Sequence, residues 1–148
     1  MARVLRGIFS VMGRIALTAI FISAALGQKI PHFNGVVQYM EAHNVPAPRL
    51  LLPAAIVFLL VGGASVLLGY RARIGALLLL LFLIPATYYF HDFWNQSGQE
   101  AEAQTIHFMK NLSMMGAMIF IIANGSGAWS LDGRGSKIAE PIEPAPAE

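Results

Sequence analysis

Four runs of predominantly apolar residues, at 8–28, 50–70, 74–90 and 106–129, constrain this chain more than any other feature. A helix needs roughly twenty such residues to cross the hydrocarbon of a bilayer, and backbone polar groups buried in lipid must be satisfied within the helix itself. The run 50–70 carries no charge, and its Pro53 falls in the first turn, where a missing N–H costs little. The three residues Arg71-Ala72-Arg73 are too short a link for anything but an antiparallel hairpin with the next run. Arg14 and Lys110 interrupt the first and last runs, but each lies near one end, where a long basic side chain reaches the interface. Arg14 and Lys29 are separated by about 22 Å of helix and so bracket one span. The expected fold is all-α: an integral membrane four-helix transmembrane bundle.

Composition agrees with this reading. Charged residues make up 12% of the chain, where soluble domains average about 25%. With no Cys, the chain carries no disulfide, thiolate metal site or thiol redox chemistry of its own. A net charge of +2, scattered rather than clustered, gives no reason to expect nucleic acid as a partner.

Seven of the ten basic residues (Arg3, Arg6, Arg14, Arg71, Arg73, Arg134, Lys137) fall on one side of the spans and three (Lys29, Arg49, Lys110) on the other. The positive-inside bias then predicts both termini in the cytoplasm. Residues 1–129 form the expected membrane domain, and 130–148, ending in Pro141, Pro144 and Pro146 among Ala and Glu, the expected disordered cytoplasmic tail. Residues 1–27 also look like a secretory signal. An uncleaved helix is the preferred reading, because Gly27 runs on directly into another apolar, basic stretch. Small residues at four-residue spacing, Ala19, Ser23 and Gly27 on the first run, Ser65 and Gly69 on the second, Ser113 and Ala117 on the fourth, suggest packing surfaces between helices. Pro85 predicts a kink in the third run.

The unusual polar residues gather at the expected outer end. His107, Lys110, Asn111 and Met114 share one face of the fourth run, Tyr88, His91 and Asp92 one face of the third, and Gln28 and Lys29 close the first. Intramembrane ionisable groups point inward and pair, so Asp92 is expected with Lys110 or Lys29, and His91 or His107 with Asn111 or a tyrosine. Two roles are open. The cluster is an interhelical clasp, or it lines a pocket for a lipid-soluble molecule such as a quinone, whose carbonyls need Lys or His donors and whose ring suits Phe93, Trp94 and Phe108. The candidate site is Lys29, His91, Asp92, Trp94, His107, Lys110 and Asn111. Two histidines without acidic or cysteine partners at a recognised spacing point to no metal, and the Met-rich fourth run reads as adaptable packing, with copper a remote option. No catalytic residue is assigned, and no intrinsic cofactor is expected beyond a quinone.

Gly27-Gln28-Lys29-Ile30, Pro46-Ala47-Pro48, the hairpin Gly69-Tyr70-Arg71-Ala72-Arg73-Ile74-Gly75-Ala76, Tyr88-Tyr89-Phe90-His91-Asp92-Phe93-Trp94 and His107-Phe108-Met109-Lys110-Asn111-Leu112 together resemble the DoxX family of small membrane proteins, over about 4–132. The resemblance implies a four-helix bundle in the bacterial inner membrane. It also implies a link to redox systems, since the family is named for a component associated with a quinol oxidase, is similar to subunits of thiosulfate:quinone oxidoreductase, and includes proteins of oxidative-stress complexes. The expected role is therefore an accessory or quinone-interacting subunit, with other redox-complex subunits as partners. The alternative is a non-catalytic structural or assembly subunit of a larger membrane complex. A transport role is weaker, because one four-helix unit has little interior for a pathway.

Overall fold

The computed structural model describes residues 1–135, and the expected disorder of the tail lies outside the described residues from 136 onward. Among the described residues the chain forms α1 (Ala2–Ser23), prolonged by one π-helical turn (Ala24–Lys29), then α2 (Phe33–Ala42), α3 (Pro48–Leu68), α4 (Ala72–Phe90), a 3₁₀ turn (Phe93–Asn95), α5 (Gly98–Asn124) and the short α6 (Leu131–Gly135). Four of these stretches are long and apolar enough to span a membrane.

Helix α3 packs against both α1 and α4, and α5 packs against α4, whereas α1 and α5 meet only sparsely. The tightest joint is the α3–α4 hairpin. A Cβ on Gly62 would stand 2.9 Å from the Gly75 carbonyl oxygen, and one on Gly75 would stand 2.6 Å from the Ser65 Cβ. In lipid, dispersion at such close backbone approach replaces the hydrophobic drive that joins helices in water. Leu59, Val66, Ala76, Leu79, Leu83 and Met118 fill the core that α3, α4 and α5 share, with Phe21 and Ala25 entering it from the α1 side.

On α1 the inward face is Gly7, Arg14, Thr18, Phe21 and Ala25, at helical spacing. The Ala19–Ser23–Gly27 stripe expected to pack is instead exposed, and nothing stands near Gly27. Packing selected the face that satisfies Arg14 rather than the face with the smallest side chains. Pro85 leaves α4 a single helix through Phe90; proline is tolerated there because its membrane neighbours satisfy the backbone.

Two segments between the apolar runs are helical. Residues Phe33, Val36, Val37 and Met40 make an apolar face at i, i+3, i+4 and i+7, and α2 seats it on Leu52 and Ile56 of α3 and on Tyr89 and Phe90 of α4. Helix α5 begins at Gly98, well before the apolar run that starts near 106. The early residues of the expected tail are also folded: Ser130 is buried and α6 docks on the hairpin.

Candidate functional site

The bundle has two polar ends. At the histidine end, α4 finishes and α5 begins, and the packing of these two helices brings the rings of His91 and His107 into a stack with centroids 5.2 Å apart and planes 20° apart. Lys110 Nζ lies 3.0 Å from His107 Nδ1. A lysine ammonium only donates, so Nδ1 accepts and neutral His107 carries its proton on Nε2. His91 Nδ1 lies 2.9 Å from Gln104 Oε1, and Gln104 Nε2 donates to Glu100 at 2.9 Å. Hydrogen bonds thus run from Glu100 through Gln104 to His91, and a ring stack sets His91 against the Lys110-bonded His107.

An aromatic cluster adjoins it. Phe93 meets Trp94 and Phe108 edge to face, with centroids 5.2 Å apart in both cases, and Trp94 reaches Tyr88 at 6.1 Å. Trp94 is half exposed, and His107 and Lys110 are exposed, so the cluster is open to whatever surrounds it.

The other candidate residues go elsewhere. Asp92 is not paired with a lysine: its carboxylate accepts from the amides of Asn95 at 3.0 Å and Gln96 at 3.4 Å, in the 3₁₀ turn that follows α4. The turn offers donors three and four residues away, and a local partner costs less chain ordering than a distant one. Asn111 turns into the bundle and donates to Thr87 Oγ1 at 2.9 Å, with both residues buried. Lys29 sits above the Phe82 ring, 5.6 Å from its centroid. Phe82 precedes His91 by nine residues, about 13 Å along a helix, so Lys29 lies a layer below the histidines. Of the seven expected residues the fold joins His91, His107 and Lys110, sets Trp94 beside them, and leaves Lys29, Asp92 and Asn111 with separate partners. Gln104 and Glu100 were missed because they precede the apolar run; their i, i+4 spacing on an extended α5 was the available signal.

The hairpin end, where α1 starts, α3 turns into α4 and α5 stops, holds a polar network that the sequence did not suggest. Arg14 does not run out to the interface. It is 6% exposed, and it donates from Nη2 to the Trp129 carbonyl at 2.8 Å and from Nε to the Ser10 carbonyl at 3.3 Å. The Ser10 hydroxyl donates to the Ser126 carbonyl at 3.0 Å. Asp132 accepts from the backbone N–H groups of Arg71 at 2.7 Å and Ala72 at 3.0 Å, capping α4, while its own N–H donates to the Gly69 carbonyl at 2.8 Å. Gly69 makes the turn in the left-handed region (φ +64°), and a Cβ there would overlap the Arg14 guanidinium and stand 2.5 Å from the Ser130 Cβ. Only glycine meets both demands.

The DoxX family model matches residues 9–92. The chain is 32% identical over 129 residues to the Escherichia coli inner membrane protein YphA, covering 87% of this chain and 91% of that one. It is 33% identical over 121 residues to the Escherichia coli inner membrane protein YqjF, covering 82% and 87% respectively. No solved structure matches the chain.

Proposed function

The chain belongs to the DoxX family and is a multi-pass inner-membrane protein, and from that premise we propose that it serves as an accessory, quinone-interacting subunit of a membrane redox system. The observation that carries this reading is the stacked His91–His107 pair tied to Lys110 beside the Phe93–Trp94–Phe108 cluster. A quinone head group is a flat ring with carbonyl oxygens that accept hydrogen bonds. The exposed aromatic edges of Trp94 and Phe108 suit the ring, and the Nε2–H of neutral His107 and the remaining Lys110 protons suit the oxygens. A bound quinone supplies two-electron, two-proton chemistry, with the electrons coming from a partner subunit. His107 and Lys110 hold protons at the oxygens on the protein side.

The test is gentle purification from native membranes followed by mass spectrometry of extracted quinones. A quinone retained near one per chain, and reduced at least tenfold in folded His107→Ala and Lys110→Met variants, supports the reading. Wild-type protein without quinone overturns it.

A second reading, in which the polar layer only locks the bundle for assembly into a larger complex, is favoured by one observation: the buried Asn111–Thr87 bond joins α5 to α4 and exposes neither group. It assigns that pair, but not the half-buried His91 or the exposed His107 and Lys110, to structure.

A further inference from the structure

The hairpin end carries more positive charge than its own structure employs. A cleft of about 1090 Å³ opens there between the start of α1, the α3–α4 turn and the segment after α5, and Arg3, Arg6, Arg71 and Arg73 line it. Asp132, the carboxylate in its wall, is already engaged by the N–H groups of Arg71 and Ala72. Arg73 makes a long 3.4 Å bond to the Ala123 carbonyl, and Arg71 lies 5.8 Å from the ring of its neighbour Tyr70. Among the described residues the cleft is therefore strongly cationic, four arginines against the one carboxylate of Asp132.

An apolar groove adjoins it. Where α1 and α5 meet only sparsely, a cavity of about 580 Å³ lies between them, walled by Phe9, Leu17, Phe120 and Ile121. Phe9 and Phe120 are about two-thirds exposed on the lateral surface, so the groove opens sideways, toward hydrocarbon in a bilayer. Gly125, Ser126 and Gly127 border both the cleft and the groove. Beneath this junction Ser126 Oγ and Nη1 of the buried Arg14 lie against Gly69 and have no hydrogen-bond partner among the described residues.

We propose that cleft and groove together form one site for an anionic phospholipid of the surrounding bilayer. The phosphate lies among Arg3, Arg6, Arg71 and Arg73, the glycerol backbone passes Gly125–Gly127 at the junction, and an acyl chain descends the α1–α5 groove. Guanidinium forks match phosphate oxygens two at a time, and basic pockets between membrane helices recruit anionic head groups. The four arginines select an anionic over a zwitterionic lipid. The groove selects a lipid over free phosphate, because an ion has no use for an apolar channel continuous with its pocket. The site stands at the opposite end of the bundle from the quinone reading and does not depend on it.

The test is native mass spectrometry and lipid titration of the full chain in detergent. Wild-type protein is expected to retain one phosphatidylglycerol per chain, with at least tenfold preference over phosphatidylcholine and over glycerophosphate, which carries the head group without acyl chains. The double variant Arg6→Gln/Arg73→Gln should lose at least tenfold in phosphatidylglycerol affinity. So should Gly116→Leu, which fills the groove from a position where a Cβ meets nothing within 4 Å. Arg49→Gln, at the other end, should change affinity less than twofold. Equal retention of phosphatidylglycerol and phosphatidylcholine overturns the site. Equal binding of glycerophosphate and phosphatidylglycerol by the wild type makes free phosphate the occupant and overturns the lipid reading, whether or not the variants fold.

Discussion

The polar side chains of the hairpin end reach across the chain to bond backbone atoms, whereas those of the histidine end mostly find partners in their own helix or turn. Arg14 to Trp129, Ser10 to Ser126 and Asp132 to Arg71 and Ala72 join segments from 60 to 116 residues apart. At the histidine end, Asp92, Lys110 and Gln104 bond groups three or four residues away, and the exceptions are His91 to Gln104 and Asn111 to Thr87, both between α4 and α5. Long-range bonds to buried backbone hold a fold in register; short-range bonds among exposed side chains leave it nearly unchanged when lost. The hairpin end is thus a structural staple, and at the histidine end the exposed His107 and Lys110 form a chemically equipped surface that leaves structure to the buried Asn111–Thr87 pair.

Mutations at the two ends should therefore differ in kind. The largest effect is expected for Gly69→Val, which combines a disfavoured left-handed residue with overlap on Arg14 and Ser130: a loss of about 3 kcal/mol, seen as a large drop in thermal midpoint in detergent. Arg14→Met removes two bonds to carbonyls and strands that of Trp129, costing about 2 kcal/mol. A lysine at the same position should not restore it, because one ammonium cannot reproduce the spread of the guanidinium N–H groups. Restoration by lysine would show that charge alone holds that end.

Asp132→Ala uncaps α4 and should cost about 1 kcal/mol, with faster hydrogen exchange at the first turn of α4 as its local signature. At the histidine end, Asn111→Leu or Thr87→Val alone should cost about 1 kcal/mol by leaving a buried polar partner, and the double variant less than the sum of the two. The smallest effect on stability belongs to His107→Ala, within about 0.5 kcal/mol, although the same change should remove quinone retention. A large loss of stability in His107→Ala would erase the contrast between the ends and favour the clasp.

Much of the fold was legible because in lipid the period and length of apolar runs leave few alternatives. The α3–α4 hairpin follows from three residues between two apolar runs, whereas α5 stops at Asn124, five residues short of the expected run, where Gly125 and Gly127 break the helix. Helix α2 was legible in principle from Phe33, Val36, Val37 and Met40, but a ten-residue amphipathic segment is easily read as loop beside four long spans. Of the candidate site, the shared faces of His91 and His107 were readable from helical spacing. The partners of Asp92 and Asn111 were not, because spacing tells which face a residue occupies but not which neighbour lies across from it.

The apolar runs alone determined four helices and their antiparallel order, since backbone hydrogen bonding in a bilayer permits little else. Only the tertiary structure decided that Arg14 turns inward, that Asp132 returns to cap a helix begun 60 residues earlier, and that α1 and α5 leave a groove between them. Those outcomes depend on how helices rotate about their own axes and how closely their backbones approach. That rotation is set by the sum of many weak packing contacts together with the demand to satisfy each buried polar atom, and no single stretch of sequence contains both partners.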